Sequence, residues 1–241
     1  MYYYILEPPA NRATRQAYEK LRDFLTNSGI SGEMVAASPA RTPAELAIMG
    51  IEKGYTTMVA VGGDGHIGQV ATAVLGRAVL GIIPVNASAQ VTDLIGANNL
   101  KDAVESLKQR RLVSVSTVLL GQDIPIFLTG TIETPKLAKV SIVVDNRMRV
   151  FAYFNKISIN RDLEVAFESE HIVEPKKILG LFKVGGETIT SHSLFHGKLI
   201  RLVTDPELPF RVGGQEMAQT PLTLRLVPDS LKVITRRGKL E

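Results

Sequence analysis

Thr57-Met58-Val59-Ala60-Val61-Gly62-Gly63-Asp64-Gly65-His66, continued by Ile67-Gly68-Gln69-Val70, is the stretch on which the reading of this chain turns. Thr57 to Val61 is short, apolar and rich in β-branched residues, the composition of a buried strand. Three glycines around one aspartate then stop the strand. Beyond them Ile67, Val70, Ala71, Val74 and Leu75 recur at helical spacing up to Gly76. A strand, a glycine turn and a helix together offer unshielded backbone N–H groups and a helix N-terminus to a phosphate. Glycine suits such a turn because a ligand can approach the backbone closely. Asp64 stands at the mouth, where a carboxylate can hold Mg²⁺ or a water on a polyphosphate. A plain strand-to-helix turn is the alternative. On the phosphate reading, Gly62→Val blocks the ligand while folding stays nearly unchanged.

Working outward, Tyr2 to Leu6 reads as a first strand ended by Pro8-Pro9, and Arg12 to Asn27 as a helix with Ala17, Leu21, Phe24 and Leu25 on one face. Met34 to Ala37 is a second strand. Thr42-Pro43-Ala44-Glu45 has the composition of a capping box, with proline in the first turn of a helix running to about Lys53. After the glycine turn come a strand at Val79 to Ile83, a loop from Pro84 to Gln90, and helical segments through Arg110. Strands alternating with helices predict a parallel sheet covered on both faces, with ligands at the carboxyl ends of its strands. That rim collects Glu7-Pro8-Pro9, Ser38, Gly62 to His66 and Pro84 to Gln90.

Near residue 112 the pattern changes. Leu112–Leu120, Ile126–Thr131, Ala138–Val144, Arg149–Phe154, Leu163–Phe167, Ile178–Val184, Lys198–Val203 and Leu222–Leu226 are strand-like. Turn signals at Gly121-Gln122-Asp123, Asp145-Asn146 and Gly185-Gly186 separate them. The expected fold is therefore a three-layer parallel α/β domain over residues 1–111, followed by an antiparallel β-sandwich over 112–241. Residues 227–241 are candidates to pack back on the first domain, since Leu231, Val233 and Ile234 are apolar. A cleft between the two domains is the expected place for a second substrate.

Composition narrows the field. At 241 residues, 45% hydrophobic and 22% charged, the chain has ample material for a core. No apolar run approaches the ~20 residues that cross a bilayer, and the first residues lack the flank of a secretory peptide, so a cytoplasmic protein is expected. Disulfides and thiolate metal sites are excluded because there is no cysteine. Net charge is +4, concentrated in Arg236-Arg237-Gly238-Lys239, which allows at most a peripheral attraction to an anionic membrane. A dense basic face interleaved with aromatics is missing, which argues against nucleic acid.

Val61-Gly62-Gly63-Asp64-Gly65 resembles the Gly-Gly-Asp-Gly-Thr motif shared by diacylglycerol kinases, sphingosine kinases and NAD kinases. The diacylglycerol and sphingosine kinase family is similar over most of the chain, with the same order of an α/β nucleotide domain and a β-sandwich. The Asn-Glu pair and the Thr-Pro-Thr-Gly-Ser loop of NAD kinases are not found. The resemblance implies ATP and Mg²⁺ as cofactors, with Gly62, Gly63, Asp64, Gly65, His66, Asn86, Ser88 and Ser38 binding the nucleotide and Asp64 the metal. It implies ATP-dependent phosphoryl transfer to a lipid hydroxyl, with the lipid in the interdomain cleft, and leaves room for a homodimer.

The chain looks like a divergent member, because its departures fall on functional positions. His66 stands where the family has the phosphate-contacting threonine, and Asn86-Ala87-Ser88-Ala89-Gln90 replaces a Gly-Thr-Gly-Asn-Asp loop. Glu7-Pro8 replaces an Asn-Pro turn and puts a carboxylate near the phosphates, which is unfavourable unless a metal or base lies between. Gly213-Gly214-Gln215 replaces Asp-Gly-Glu, whose aspartate the resemblance makes the general base. No catalytic residue is therefore assigned. Glu216 points the wrong way on a regular strand unless a bulge turns it. An impaired lipid kinase and a pseudo-kinase serving as a nucleotide-binding or interaction module are both compatible with this pattern. Two weaker groups are His192 with His196, spaced for a helical zinc site but set among strand-like residues, and a polar loop of Glu168, Glu170, His171 and Glu174.

Overall fold

The computed structural model describes residues 1–121, 124–172, 176–178, 182–184 and 188–236. The chain divides into two compact units. One is built from residues 1–117, 124–128 and the segment beginning at Val227, the other from most of what lies between.

In the first unit the elements run β1 (Tyr2–Leu6), α1 (Arg12–Ser28), β2 (Glu33–Ala36), α2 (Pro43–Glu52), β3 (Thr57–Gly62), α3 (Asp64–Val74), β4 (Val79–Pro84), α4 (Ala89–Ile95), α5 (Leu100–Gln109), β5 (Arg111–Leu120) and β6 (Ile124–Ile126). The sheet order is β2-β1-β3-β4, and every pair is parallel. Its interior is apolar on both faces: Met58, Val59, Ala60 and Val61 are all fully buried. Helices cover both sides. A Cβ on Gly81 would touch Leu107 of α5 on one face, and one on Gly50 of α2 would touch Met58 and Tyr3 on the other.

Local chemistry explains the helix limits. Asn11 caps α1 by accepting from the Thr14 N–H at 2.9 Å, and Gly29 ends it at φ +68°. Thr42 and Glu45 make both hydrogen bonds of a capping box at the start of α2.

The second unit holds β7 (Gly130–Val144), β8 (Met148–Ile159), β9 (Glu164–Ile172), β10 (Lys176–Ile178), β11 (Phe182–Val184), β12 (Thr188–His196), β13 (Leu199–Asp205), β14 (Pro209–Val212), β15 (Gln215–Gln219) and the first half of β16 (Leu222–Thr235). The order β12-β9-β8-β7-β13-β16 is antiparallel throughout. One face is core, with Val140, Ile142, Phe154, Ile200, Leu202 and Leu224 buried, and alternate residues point outward. Asp145 and Asn146 form the β7–β8 turn at φ +51° and +56°. The Asp145 carboxylate is held below its ordinary range by the Leu199 and Lys198 backbone N–H groups it accepts from.

Several strands differ from expectation. Ile126–Thr131 is not one strand, since β6 ends at Ile126 and β7 begins at Gly130. Leu163 lies in a turn at φ +56°, because the Asn160 side chain accepts from the Asp162 and Glu164 N–H groups and bends the chain before β9. Ile178 and Val184 belong to two short paired strands. The hairpin β14–β15 was not expected. Most informative is β16, which was expected to end at Leu226 and instead runs unbroken through Val227-Pro228-Asp229-Ser230. Asp229 absorbs the irregularity at φ +49°, and beyond it Lys232 and Val233 pair parallel with Val79 and Leu80 of β4. Gln122, Asp123, Gly185 and Gly186 lie outside the described residues.

Candidate functional site

The neighbours of β3 determine what surrounds the glycine turn. Leu6 of β1 stands beside Val61, and Pro84 of β4 beside Gly62. The ladder continues for one bond past each strand end: Glu7 N–H donates to Val61 O at 2.8 Å, and Val85 N–H to Gly62 O at 3.0 Å. Parallel pairing therefore delivers Glu7 to one flank of the turn and Val85-Asn86 to the other. Gly63 (φ −88°, ψ 179°) is the N-cap of α3 and supplies no side-chain cap.

Glu7 fills that place. Its Oε2 accepts from the Gly63 N–H at 2.8 Å. An anion at the start of a helix is favoured by the dipole and by the unpaired N–H groups there. The anion at this helix start is therefore a carboxylate of the chain itself. A Cβ on Gly62 would lie 2.6 Å from Glu7 Oε2, 2.7 Å from Glu7 Cβ and 3.2 Å from His66 Cδ2. A Cβ on Gly63 would lie 3.3 Å from Asn86 O. Close approach requires glycine at position 62, whereas at position 63 an added Cβ makes only a tight contact. The space beside Gly62, where a side chain was expected to leave folding nearly unchanged, is filled by Glu7.

The other predicted residues divide. Asp64 Oδ1 accepts from the Ser88 N–H at 2.8 Å, tying the glycine turn to the Asn86–Gln90 loop. Ser88 is the N-cap of α4, and Gly65 lies half-buried in the first turn of α3. Asn86 adopts φ +57°, and its amide donates to Thr14 Oγ1 at 3.4 Å. His66 turns inward beneath the helix: it is 5% exposed, and its Nε2 donates to Ile5 O at 2.9 Å, which sets the tautomer. Burial lowers its pKa, partly offset by the Ile5 carbonyl and by Glu7. Ser38 lies elsewhere, past the end of β2 and two strands from β3, exchanging two backbone hydrogen bonds of 3.0 Å with Arg41. Glu7 itself is held in place from behind, because the Tyr18 hydroxyl donates to Glu7 O at 2.8 Å. Burial and the Glu7 charge push the Tyr18 pKa up to about 12.

In the second unit, Gly213 (φ +56°) and Gly214 (φ +80°) form the two-residue turn of the β14–β15 hairpin, closed by the pair Val212 and Gln215. Glu216 stands opposite Arg211. Its Oε2 lies 3.9 Å from that guanidinium, its Oε1 accepts from Gln219 Nε2 at 3.3 Å, and it is exposed. The register does shift in this hairpin, between Phe210 and Arg211, which is beyond Glu216.

Among the described residues no three His, Cys, Asp or Glu side chains converge as a metal site. His192 and His196 lie on the strand β12, not on a helix, and His196 Nε2 is 3.2 Å from Glu164. Glu168 and Glu170 belong to β9, a strand where a loop was expected, and Glu174 lies outside the described residues. Arg236 is engaged at 2.9 Å with Asp102 of α5. No helix among the described residues is long and apolar enough to cross a membrane.

Residues 2–120 match the sequence model of the diacylglycerol kinase catalytic domain. No curated protein matches the sequence at a significant level. Among solved structures, a diacylglycerol kinase from Bacillus anthracis superposes with a TM-score of 0.75 at 14% identity, covering 99% of this chain and 98% of its own. An NAD kinase from Archaeoglobus fulgidus, in complex with ATP, gives 0.52 at 12% identity over 98% of this chain and 94% of that one. Yeast NADH kinase, complexed with NADH, gives 0.57 at 8% identity over 99% and 84%.

Proposed function

The chain belongs to the diacylglycerol kinase and NAD kinase superfamily, and from that premise we propose that it is a cytoplasmic pseudo-kinase, a member that keeps the fold as an interaction module without transferring phosphate. One observation carries this reading: Glu7 Oε2 holds the Gly63 N–H at 2.8 Å, the contact a nucleotide phosphate needs. Two unit charges ~4 Å apart repel by roughly 4 kcal/mol at an effective dielectric of 20. That is about three powers of ten in affinity, so a phosphate enters only by displacing the carboxylate. Asp64, the implied metal ligand, has one oxygen engaged by the Ser88 N–H. The residues as arranged do not fit Mg²⁺–ATP.

The lipid side of the reaction lacks its base as well. Gly213 and Gln215 stand where the family's carboxylates would be, and Glu216 is paired with Arg211. A second reading, ATP-dependent phosphorylation of a diacylglycerol-like or sphingoid hydroxyl, is favoured by one observation: Gly62-Gly63-Asp64-Gly65 is intact.

Calorimetric titration with ATP, ADP and NAD, with and without Mg²⁺, separates the two. Wild type is expected to show no binding up to millimolar nucleotide, whereas Glu7→Asn should bind at least tenfold more tightly. Wild-type phosphate transfer to diacylglycerol or sphingosine at ordinary kinase rates of about 1–100 s⁻¹ would sink the pseudo-kinase reading.

A further inference from the structure

The outward face of the antiparallel sheet carries a trough that the glycine turn does not involve. Registers set Phe151, Ser141 and Val203 in one row across β8, β7 and β13. Phe151 and Val203, 73% and 50% exposed, are its walls, and the short Ser141 side chain is its floor. The groove between them holds about 450 Å³. Side chains alternate along each strand, so the next row on this face has Arg149 and Arg201 flanking Val143. In the opposite direction Tyr153 and Asp205 flank Lys139.

Charge is uneven along this trough. Lys139 and Asp205 offset each other at one end. At the other stand two exposed guanidiniums, neither of them ion-paired with a described residue. A second copy of the same face would set Arg149 and Arg201 against their own kind. A bilayer presents a plane, whereas this apolar strip is a groove, and Asp205 at its rim repels anionic headgroups. A helix matches the shape. Neighbouring strands lie about 4.8 Å apart, so the backbones of β8 and β13 stand roughly 10 Å from each other. A helix laid over β7 is itself about 10 Å across and touches both walls. From the Lys139 row to the Val143 row is about 13 Å of strand, a length that about nine residues of helix span.

We infer that the trough is the docking site for an acidic amphipathic helix of a partner protein. The apolar stripe of that helix lies over Ser141 between Phe151 and Val203, and carboxylates beside the stripe meet Arg149 and Arg201. This is recognition of a helix in a groove, with apolar anchors at i, i+3, i+4 and i+7. Charges at the rim of such a contact govern the choice of partner and the rate of encounter more than affinity. Anchoring therefore falls to the aromatic wall, and selection to the two arginines. The docking surface rests on the interaction-module reading, but it shares no residue with the glycine turn.

The probe is a synthetic peptide of about eighteen residues, long enough to form a helix, with leucine at the anchor positions and glutamate beside them. A second peptide carries lysine in place of each glutamate. By fluorescence anisotropy the full chain should bind the glutamate peptide at micromolar concentration and the lysine peptide about tenfold more weakly. Arg149→Glu with Arg201→Glu should reverse that preference, which an indiscriminate apolar patch would not do. Phe151→Ser should weaken binding of the glutamate peptide about tenfold, and Lys20→Glu on α1 should bind as wild type. All these positions are exposed, so the variants are expected to fold, which thermal midpoints check. A folded wild type that ignores the glutamate peptide would overturn the inference, as would a preference that survives the charge reversal. So would vesicles of phosphatidylcholine and phosphatidylserine that bind the wild type but not Phe151→Ser, or a sedimenting mass that halves in that variant. A failed peptide titration leaves the nucleotide result at the glycine turn standing, and the reverse, so the two readings fail separately.

Discussion

Gly62-Gly63 ends a buried parallel strand, and Gly213-Gly214 closes an exposed antiparallel hairpin. The first pair has no left-handed residue: Gly63 sits at φ −88°, and what requires glycine at position 62 is Glu7 pressing on the backbone. At the second pair both residues are left-handed, and a Cβ on Gly214 would meet nothing within 4 Å. One pair is glycine for space and the other for backbone conformation. At the first turn that space is taken by a carboxylate of the same chain, which accepts from the Gly63 N–H.

The largest expected effect breaks the first turn. Gly62→Val drives its side chain into Glu7 and His66, and overpacking a filled interior costs about 3 kcal/mol here. Urea unfolding should show the midpoint falling with the slope unchanged. A variant as stable as wild type would mean that Glu7 swings away freely and that the cradle is open in solution.

Glu7→Ala comes next. It removes a charge-assisted hydrogen bond at a helix N-terminus, worth about 2 kcal/mol. The two sites share one space, so their effects should not add. In the Glu7→Ala background, Gly62→Val should cost at least about 1 kcal/mol less than it does alone. Additive effects would separate Glu7 from the steric demand at Gly62.

His66 gives a gentler probe of the same turn. Its folded pKa lies below the ordinary value near 6.5, so below that pH the unfolded chain takes the proton more readily. The stability that neutral His66 contributes is complete above about pH 6.5 and declines as pH falls beneath it. His66→Gln keeps a donor for the Ile5 carbonyl and does not titrate. Its thermal midpoint should therefore fall less than that of wild type between pH 7.5 and 5.5. Parallel curves would assign the acid sensitivity to other groups.

Much of this architecture was legible from residues near one another in sequence. The capping box at Thr42, the glycine after α1 and the apolar run of β3 are local signals, and each lies within one or two residues of its expected limit. The content of the cradle was not legible. Glu7 and Gly63 are 56 residues apart and meet only because β1 and β3 are parallel neighbours. Sequence placed a carboxylate near the phosphates and asked for a metal or a base between them; the partner turned out to be a backbone N–H. His66 was expected to face the ligand, yet from the first turn of α3 its ring reaches back to the Ile5 carbonyl. The continuous β16 was hidden for a related reason, since Pro228 breaks the local pattern of a strand whose two halves serve different neighbours.

The smallest effects belong to the second turn, and they separate conformation from chemistry. Gly214→Ala places a side chain at φ +80° with no steric contact, so it should cost only the left-handed strain, roughly 1 kcal/mol. Gly213→Asp should cost less still, within about 0.5 kcal/mol of wild type, because aspartate tolerates the left-handed region and Asp-Gly is a favoured pair for such a hairpin. Restoring carboxylates by Gly213→Asp with Gln215→Glu therefore leaves the hairpin intact. If Glu7 is what closes the cradle, that double variant alone should transfer no phosphate from ATP to diacylglycerol, and adding Glu7→Asn should give a measurable rate. Turnover by the double variant with Glu7 in place would show that the carboxylate yields to nucleotide. Silence from the triple variant, with nucleotide bound, would place the remaining defect in the Asn86–Gln90 loop, where Ser88 is held by Asp64.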